Sequence, residues 1–525
     1  MSDRTLLIPP GALISDALRE SGYALDYECG GRGVCGRCRV EVVAPDGTRR
    51  SVLACQTRAG DAPLRVDTSE TPFRAAKIYA PEEAAFAQAA RPTREERRGK
   101  WGLAVDLGTT TIVCSIVSLE TGRALRARST RNPQISFGRD VLSRIDAAGK
   151  RPDARRVMLT EAWRAVEQTA LELAGEFELN PASIMDVAIA GNTTMEYLLT
   201  GLDVAPLGAA PFTVAKKSFR EYIGAEFDLS SFSKARVRIF PVISAFIGGD
   251  VLSGFARLLH KGAFARDKTA LFLDFGTNGE ALLGSNGRFL AASTAAGPAF
   301  EGCEISQGML ATRGAICRVD YGVSSGEWRA YTVEDAPALG VCGSGLVDAL
   351  AGALAFGALA PNGRLRRSDS YEPRSQAIAD RLSEDGGTRS FLISNLDGSG
   401  AVRLSQRDVR QAQLALGAIK AGVRILLEEA RTSASALDAL YLAGGFGASL
   451  NLTSARRVGA TPPELALDRV SYCGNASLLG AIDVLASALE WDALEETASL
   501  VDAINLADRA DFAEVFADAL GFPES

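Results

Sequence analysis

Two stretches of the chain repeat the pattern of an apolar strand, a Gly-Thr turn and a second apolar strand. The first is WGLAVDLGTTTIVCSIVSL at 101–119 and the second is TALFLDFGTNGEALLGS at 269–285, so Asp274 follows Asp106 by 168 positions. Chance repetition of D-x-G-T within two apolar contexts is the alternative to duplication. A duplicated unit at this distance predicts two similar lobes that enclose one cleft.

Each turn has the chemistry of a phosphate-binding site, because glycines and small polar residues in a tight turn direct N–H groups and hydroxyls at phosphate oxygens. Asp106 and Asp274 each end an apolar strand, where a carboxylate is suited to positioning Mg²⁺ through its water ligands. The chain lacks G-x-x-x-x-G-K-[ST], so it does not belong to the P-loop class. The candidate phosphate-binding residues are Gly108, Thr109, Thr110, Gly276, Thr277 and Asn278.

A third glycine-rich element, YLAGGFG at 441–447, follows an apolar strand late in the chain. Glycines at this point would let an adenosine lie against the backbone. A strand that ends in GGFG is, on its own, more often a tight turn. Because two D-x-G-T turns precede it in the chain, we predict an adenosine site at Gly444, Gly445 and Gly447.

Composition divides the chain into three regions. The first is rich in alternating, strand-like segments, and the second is rich in alanine and charge, which is typical of a linker. In the third, strands alternate with long helices, which indicates an α/β architecture with covered sheets. The predicted units are a front domain at 1–72, a linker at 73–100, and a large domain at 101–525 with lobes at roughly 101–265 and 266–525.

Four cysteines of the front domain, Cys29, Cys35, Cys38 and Cys55, have the spacing C-x5-C-x2-C-x16-C. The first three lie on a glycine-rich loop, whose backbone amides can approach the sulfurs of an iron-sulfur cluster. A structural zinc is the competing interpretation, but zinc ribbons use two paired C-x2-C knuckles and only Cys35 and Cys38 form such a pair. The spacing therefore favours one 2Fe–2S cluster held by these four thiolates.

Charge and hydropathy argue against several classes of function. The net charge of −7 is unlike that of a general nucleic-acid binder, which usually carries a basic surplus. The chain has no uninterrupted apolar run of about 18 residues and no secretory pattern at its N-terminus, so we expect a cytoplasmic protein without a membrane partner. His260 is the single histidine, which excludes a mechanism that needs two.

Together, these motifs resemble those of known families. Residues 4–70, with the loop CGGRGVCGRC, resemble the ferredoxin superfamily. DLGTTT, DFGTNGE and LAGGFG, in this order, resemble the superfamily of actin, sugar kinases, acetate kinases and heat-shock chaperone ATPases. With AGNTTM, GPAFEG and VCGSGLVDAL, and with the ferredoxin-like domain in front, nearly the whole chain resembles the reductive activators of corrinoid proteins.

This resemblance implies both a fold and a function. The fold would be an α+β and α/β multidomain chain, in which a small β-grasp ferredoxin-like domain precedes a two-lobed actin/sugar-kinase-like ATPase with duplicated ribonuclease-H-like subdomains. The function would be ATP-dependent transfer of one electron from a 2Fe–2S cluster to cob(II)alamin on a corrinoid methyltransferase protein, which restores cob(I)alamin. The resemblance also implies ATP with Mg²⁺ and an upstream electron donor, and it leaves a homodimer open.

A small-molecule kinase of the same superfamily, with a redox-sensing ferredoxin domain, is the alternative function. Such a kinase would need a sugar or carboxylate site and usually an aspartate base in the cleft. Asp250 in IGGDVL is a candidate for that base, but an acidic residue is equally favoured at the start of a helix. A chaperone-like ATPase without electron transfer is a further alternative, and the intact set of four cysteines argues against it.

Overall fold

The computed structural model describes most of the chain. The described residues are 5–21, 33, 38–43, 48–67, 92–93, 95–151, 153–276, 278–294, 296–302, 304–368, 376–395, 400–444 and 450–524. The predicted linker at 73–100 lies mostly outside them, so the linker and the domain boundary at 72 remain predictions. The predicted site residues that lie outside the described part are Cys29, Cys35, Thr277, Gly445 and Gly447.

A four-stranded antiparallel sheet with one helix forms the front of the chain. Its elements are β1 (Thr5–Ile8), α1 (Ile14–Glu20), β2 (Arg39–Val43), β3 (Arg49–Leu53) and β4 (Leu64–Asp67). The strands lie in the order β1-β4-β2-β3. Alternation along the strands turns Val40, Val42 and Val66 inward, where they pack with Ile14 and Leu18 of the helix.

The first lobe is built on a six-stranded sheet that begins at Trp101. Its elements are β5 (Trp101–Leu107), β6 (Thr111–Ser118), β7 (Ala124–Arg131), α2 (Val141–Lys150), α3 (Ala154–Glu176), β8 (Ile184–Gly191), α4 (Thr193–Thr200), β9 (Tyr222–Ile223), β10 (Arg236–Ile239) and α5 (Gly249–His260). The strands lie in the order β7-β6-β5-β8-β10-β9. Helix α3 covers one face of the sheet with buried side chains that include Met158, Trp163 and Val166.

The second lobe contains another six-stranded sheet and two small three-stranded sheets. Its elements are β11 (Ala270–Phe275), β12 (Gly279–Ser285), β13 (Arg288–Thr294), β14 (Ala315–Gly322), β15 (Glu327–Thr332), β16 (Gly340–Val341), α6 (Gly343–Ala355), α7 (Gln376–Ala379), β17 (Leu382–Asp385), β18 (Thr388–Ser394), β19 (Val402–Ser405), α8 (Gln406–Glu429), β20 (Ala439–Ala443), α9 (Leu452–Val458), β21 (Val470–Tyr472), α10 (Ala476–Leu485), α11 (Ala493–Ser499), β22 (Val501–Ala503) and α12 (Phe512–Ala519). The large sheet has the order β21-β20-β11-β12-β13-β22, and the small sheets have the orders β15-β14-β16 and β17-β18-β19.

The predicted duplication is present in the topology of the two large sheets. Strands β7-β6-β5-β8-β10 of the first lobe and β13-β12-β11-β20-β21 of the second have the same order and the same directions, with two antiparallel pairs followed by two parallel pairs. The register aligns Asp106 with Ala190 and Asp274 with Ala443. The predicted fold class is therefore confirmed, and the turns after β5 and β11 occupy equivalent places in the two lobes.

The two lobes meet where α5 crosses α10. A Cβ atom at Gly480 would lie 2.3 Å from the backbone oxygen of Ser253, so the helices approach closely only because this position is glycine. The Ser253 hydroxyl donates to the backbone oxygen of Ser477 over 2.7 Å. This crossing brings the N-terminus of α10 to the turns of the first lobe. No helix in the described part of the chain has the length and apolarity needed to cross a bilayer.

Candidate functional site

The turns that follow β5 and β11 face one cavity of about 620 Å³ between the lobes. Both predicted phosphate turns contribute to its walls, together with the glycine turn that follows β20. The predicted residues that line it are Asp106, Gly108, Thr109, Thr110, Asp274, Gly276, Asn278 and Gly444. The structure therefore brings together every predicted nucleotide-site residue that it describes.

Asp106 is held by residues from far along the chain, at the N-terminus of α10. Its carboxylate accepts a hydrogen bond from the Asn475 amide over 2.7 Å and another from the Ser477 hydroxyl over 2.8 Å. Removal from water raises the pKa of Asp106, and these two hydrogen bonds act in the opposite direction. The first turn is thus connected directly to the N-terminus of α10.

The second turn places acidic side chains deeper in the cavity. Within the turn, the Gly276 N–H donates to the backbone oxygen of Asn278 over 3.2 Å. Glu280 follows on β12 and is buried. Desolvation, with the charges of Asp250 and Asp274 as smaller causes, raises the pKa of Glu280 well above its usual value. Ionisation of this side chain is therefore less favourable than that of an exposed glutamate.

Gly444 has a packing reason to be glycine. Its φ angle is +105°, and a Cβ atom there would lie 2.2 Å from the backbone oxygen of Phe275. The hydroxyl of Tyr472 donates to the Gly444 backbone oxygen over 2.9 Å. The glycine turn after β20 therefore lies directly against the turn after β11, which is the arrangement that the predicted adenosine and phosphate sites require.

Asp250 lies at the N-terminus of α5 and also faces the cavity. A Cβ atom at Gly248 would lie 2.4 Å from the Gly191 backbone oxygen, so the glycines before Asp250 let α5 begin directly against the turn that follows β8. Desolvation raises the pKa of Asp250 to about 7. A hydrogen bond from the Val251 N–H lowers this pKa, and the charge of Asp106 raises it further.

The donor set of the cavity suits Mg²⁺ in the company of phosphates. Carboxylates of Asp106, Asp250 and Asp274 line it, and Mg²⁺ commonly takes one or two carboxylates while keeping water and phosphate oxygens as its other ligands. Within the described residues, no three His, Cys, Asp or Glu side chains are grouped as direct ligands of a metal ion. The described carboxylates thus fit a nucleotide-bound ion held through water.

A hydrogen bond crosses the cavity from one lobe to the other. The Thr110 hydroxyl, in the first turn, donates to the Glu301 carboxylate, which comes from the segment GPAFEG after β13. Glu301 also lines the cavity. The two lobes are therefore connected beside the first predicted phosphate turn.

Sequence reasoning missed Asn192, Asn475 and Ser477, all of which line the cavity. The Asn192 amide donates to the Thr109 hydroxyl over 2.9 Å, and its oxygen caps α4 at the Met195 N–H. Asn475 caps α10 in the same way at Leu478. A sequence signal was available, because GNTT and GNAS share the pattern Gly-Asn-x-Thr/Ser ahead of an apolar helix.

In the front domain, the structure describes two of the four predicted cluster ligands, Cys38 and Cys55. Both are buried, and they lie side by side because the Ala54 N–H donates to the Cys38 backbone oxygen over 2.9 Å. The Gln56 amide lies 3.7 Å from the Cys55 sulfur and can donate to it. Gly33, with φ of +77°, packs so closely on Gln56 that a Cβ would lie 2.8 Å from its Cγ. Two buried thiols on adjacent segments, with an amide donor beside one sulfur, fit an iron-sulfur cluster.

Three family models match the chain in succession. Residues 2–60 match the 2Fe-2S iron-sulfur cluster binding domain, residues 101–261 match the RACo middle region, and residues 268–525 match the C-terminal domain of RACo, the ASKHA domain. These two RACo regions occupy almost all of the chain after the predicted linker. The chain belongs to the RACo family of reductive activators.

Similar proteins extend this RACo-family assignment over most of the chain. The corrinoid activation enzyme RamQ of Eubacterium limosum is 28% identical, and the match covers 96% of this chain and 95% of that protein. The [Co(II) methylated amine-specific corrinoid protein] reductase of Methanosarcina barkeri is 26% identical, over 77% of this chain and 74% of that protein. A solved structure of a reductive activator for corrinoid, iron-sulfur protein superposes with a TM-score of 0.72 at 26% identity, covering 99% of both chains.

For this RACo-family chain, the matches confirm the coarse cofactor predictions. The front domain is of the type that binds a 2Fe–2S cluster, and the ASKHA domain is of the type that binds ATP. The chain belongs among enzymes, since its relatives carry the names of an activation enzyme and a reductase.

Proposed function

We propose that this chain is an ATP-dependent reductive activator of a corrinoid methyltransferase protein. It passes one electron, received from an upstream donor, to cob(II)alamin and so restores cob(I)alamin. One observation carries the proposal: two equivalent turns from two lobes and a glycine turn line a single cavity, in a chain whose front sheet holds Cys38 and Cys55 side by side. The names of the relatives support a corrinoid protein as the partner.

In this proposal, Cys29, Cys35, Cys38 and Cys55 hold the cluster. A 2Fe–2S cluster with four cysteine ligands supplies one-electron chemistry near about −400 mV. The buried thiols and the Gln56 amide keep the ligand positions away from water and provide one hydrogen bond to sulfur. Electron delivery to cob(II)alamin is uphill, and each additional ~59 mV lowers the equilibrium constant tenfold for a one-electron couple. Another source of free energy must therefore offset the deficit.

ATP binding and hydrolysis in the cavity provide that source. N–H groups and hydroxyls of the two turns hold the phosphates, Asp106 and Asp274 position Mg²⁺, and the glycines at 444, 445 and 447 admit the adenosine. In this proposal, a nucleotide between the lobes changes the contact between Thr110 and Glu301 and so couples its own state to the arrangement of the lobes. If the corrinoid partner binds the two arrangements with different affinities, nucleotide turnover drives docking and release.

The decisive experiment follows cobalt by visible absorption in a mixture of the cluster-loaded chain, a reductant, ATP and a cob(II)alamin methyltransferase protein. We expect a cob(I)alamin or methylcobalamin signal that requires ATP. Cys55→Ser should abolish that signal and spare ATP hydrolysis, whereas Cys473→Ser, a half-buried thiol outside the cluster set, should leave both unchanged. Full cobalt reduction by the Cys55→Ser chain would refute electron delivery by the front domain.

A small-molecule kinase is the second candidate, because Asp250 faces the cavity where an acceptor hydroxyl would lie. This function predicts ATP-dependent phosphorylation of a sugar or carboxylate in the absence of any corrinoid protein, lost in Asp250→Asn. Screening ATP consumption against metabolite pools, with products identified by mass spectrometry, separates the two candidates. A phosphorylated product without cobalt reduction would favour the kinase.

A further inference from the structure

The first phosphate turn is held from behind by two side chains that sequence analysis did not single out. The Asn132 amide donates to the Gly108 backbone oxygen over 2.8 Å, and the Arg144 guanidinium donates to the Thr109 backbone oxygen. In a planar trans peptide the C=O and the following N–H point in opposite directions. These two bonds therefore turn the N–H groups of Thr109 and Thr110 away from Asn132 and Arg144, toward the cavity that both threonines line.

Arg144 is fully buried on α2, and the groups to which it donates hydrogen bonds are neutral. Its Nε donates to the Gly138 backbone oxygen over 2.9 Å, and Nη1 lies 3.2 Å from the Gln134 amide oxygen and 2.9 Å from the Met195 sulfur. Burial lowers the pKa of Arg144 to about 9, while the charges of Asp140 and Glu301 act in the opposite direction. The carboxylates of Asp140 and Glu301 therefore offset only part of the cost of burying this cation, and a further anion nearby would stabilise it.

The position of Arg144 indicates where a further anion would be stabilised. Its guanidinium contacts the turn whose other side faces the cavity, and Glu301, which hydrogen-bonds to Thr110 in the same turn, is the carboxylate from the opposite lobe that interacts with it. Phosphate oxygens held by the turn would bring further negative charge to this point. Low local polarity strengthens such an attraction, because little water screens it.

We propose that Arg144 is the positioning residue of the first phosphate turn, which orients the turn's N–H groups and supplies the charge that makes it select the anionic part of a nucleotide. Arg144 acts through Thr109 and does not contact the nucleotide. The inference rests on the proposed nucleotide site and adds to it a cation that the sequence motif D-x-G-T does not contain.

The test compares affinities for ATP, ADP and adenosine, measured on the cluster-loaded full chain by competition against a fluorescent ATP analogue. Loss of a hydrogen bond to a charged group corresponds to roughly 10- to 100-fold in affinity. For Arg144→Met we expect a loss of that size for ATP and ADP and a change of less than about twofold for adenosine. Arg144→Lys keeps a cation but not the planar guanidinium group. Its affinity for ATP and ADP should therefore lie between those of the wild-type chain and of Arg144→Met.

Arg238→Met is the matched control, because Arg238 is also buried in the first lobe but pairs with Asp186 over 2.8 Å, away from the turn. It should lower thermal stability and leave the ratio of ATP to adenosine affinity unchanged. Equal losses of ATP and adenosine affinity in Arg144→Met would overturn the proposal. If that chain does not fold, Arg144→Lys decides: a wild-type ratio in this variant overturns the proposal.

Failure of the proposed function would look different. If the wild-type chain bound neither ATP nor adenosine, the nucleotide site itself would be refuted. If the wild-type chain bound ATP and every Arg144 variant kept its preference for phosphorylated ligands, only the role of Arg144 would be refuted.

Discussion

The two phosphate turns have equivalent places in the duplicated lobes, but they are supported by different means. Polar side chains hold the first turn, with Asn132 and Arg144 behind it and Asn475, at the N-terminus of α10, bonded to Asp106 where the turn begins. The second turn is packed against the glycine turn after β20, where Gly444 lies too close to Phe275 for any side chain. Duplication thus preserved the strand and turn geometry, while each lobe acquired its own support. The first turn should accordingly be sensitive to changes of charge and the second to changes of volume.

The largest expected effect is a loss of ATP hydrolysis when either of the two equivalent aspartates, one from each lobe, is replaced. Asp106→Asn and Asp274→Asn should each lower kcat for ATP hydrolysis by about 100-fold, since each removes charge from one metal-nucleotide complex. The double variant should fall little further, because residues that act as a unit are not additive. Steady-state phosphate release measures this, with the exposed Asp267→Asn as control. Multiplicative losses would show that the two turns act independently.

The second largest effect is a pH dependence of stability, which comes from buried carboxyl groups that interact beside the cavity. The pKa of Asp250 is raised from 3.8 to about 7 by desolvation, and it interacts with Asp106, Glu196 and Glu280. Between pH 3.8 and about pH 7, Asp250 keeps its proton in the native state but has lost it in the unfolded chain. The free energy of unfolding therefore falls as the pH rises through this range. Asp250→Asn lacks this titrating group. From pH 4 to pH 7 its free energy of unfolding should therefore rise by roughly 2–4 kcal/mol relative to that of the wild-type chain. Denaturant unfolding at both pH values measures the difference, and parallel pH profiles would contradict it.

A smaller effect compares the two glycines at equivalent places, Gly444 and Gly191. Gly444→Ala should lower the free energy of unfolding by about 3 kcal/mol. Its φ angle is +105°, and the added Cβ would lie 2.2 Å from the Phe275 backbone oxygen. Gly191→Ala should cost about 1 kcal/mol, since its Cβ would lie 2.9 Å from the Leu107 backbone oxygen and its φ is not positive. Thermal unfolding of both variants measures the costs. Equal losses of stability would mean that space for a side chain is equally restricted in the turns after β8 and β20.

The smallest effect compares the asparagines that cap α4 and α10. Asn192→Ala and Asn475→Ala each remove a cap, which costs about 1 kcal/mol. Asn475→Ala should cost roughly 1 kcal/mol more, because its amide also donates to the Asp106 carboxylate, whereas that of Asn192 donates to a neutral hydroxyl. Denaturant unfolding of both variants and of Asn505→Ala, a cap remote from the cleft, measures the difference. A larger loss in Asn192→Ala would contradict this ranking.

Much of the fold was predictable because its signals are local. An apolar strand that ends in Asp-x-Gly-Thr is visible in about ten residues, and its recurrence predicted the paired lobes whose sheets share one topology. The cysteine spacing indicated a cluster domain, which the family match confirms. The cluster ligands as individual residues, the linker and the electron route stay predictions, since Cys29, Cys35 and most of 73–100 lie outside the described residues.

The sequence by itself determined the paired lobes and the cluster-type front domain, and it predicted which turns bind phosphate, because such motifs need only neighbouring residues. Only the tertiary structure decided what holds these turns in place. Asn475 reaches Asp106 from 369 positions away, and Arg144 reaches Thr109 from 35 positions away on a helix with no motif of its own. A hydrogen bond between distant residues depends on how helices and sheets pack, and sequence spacing carries no trace of it.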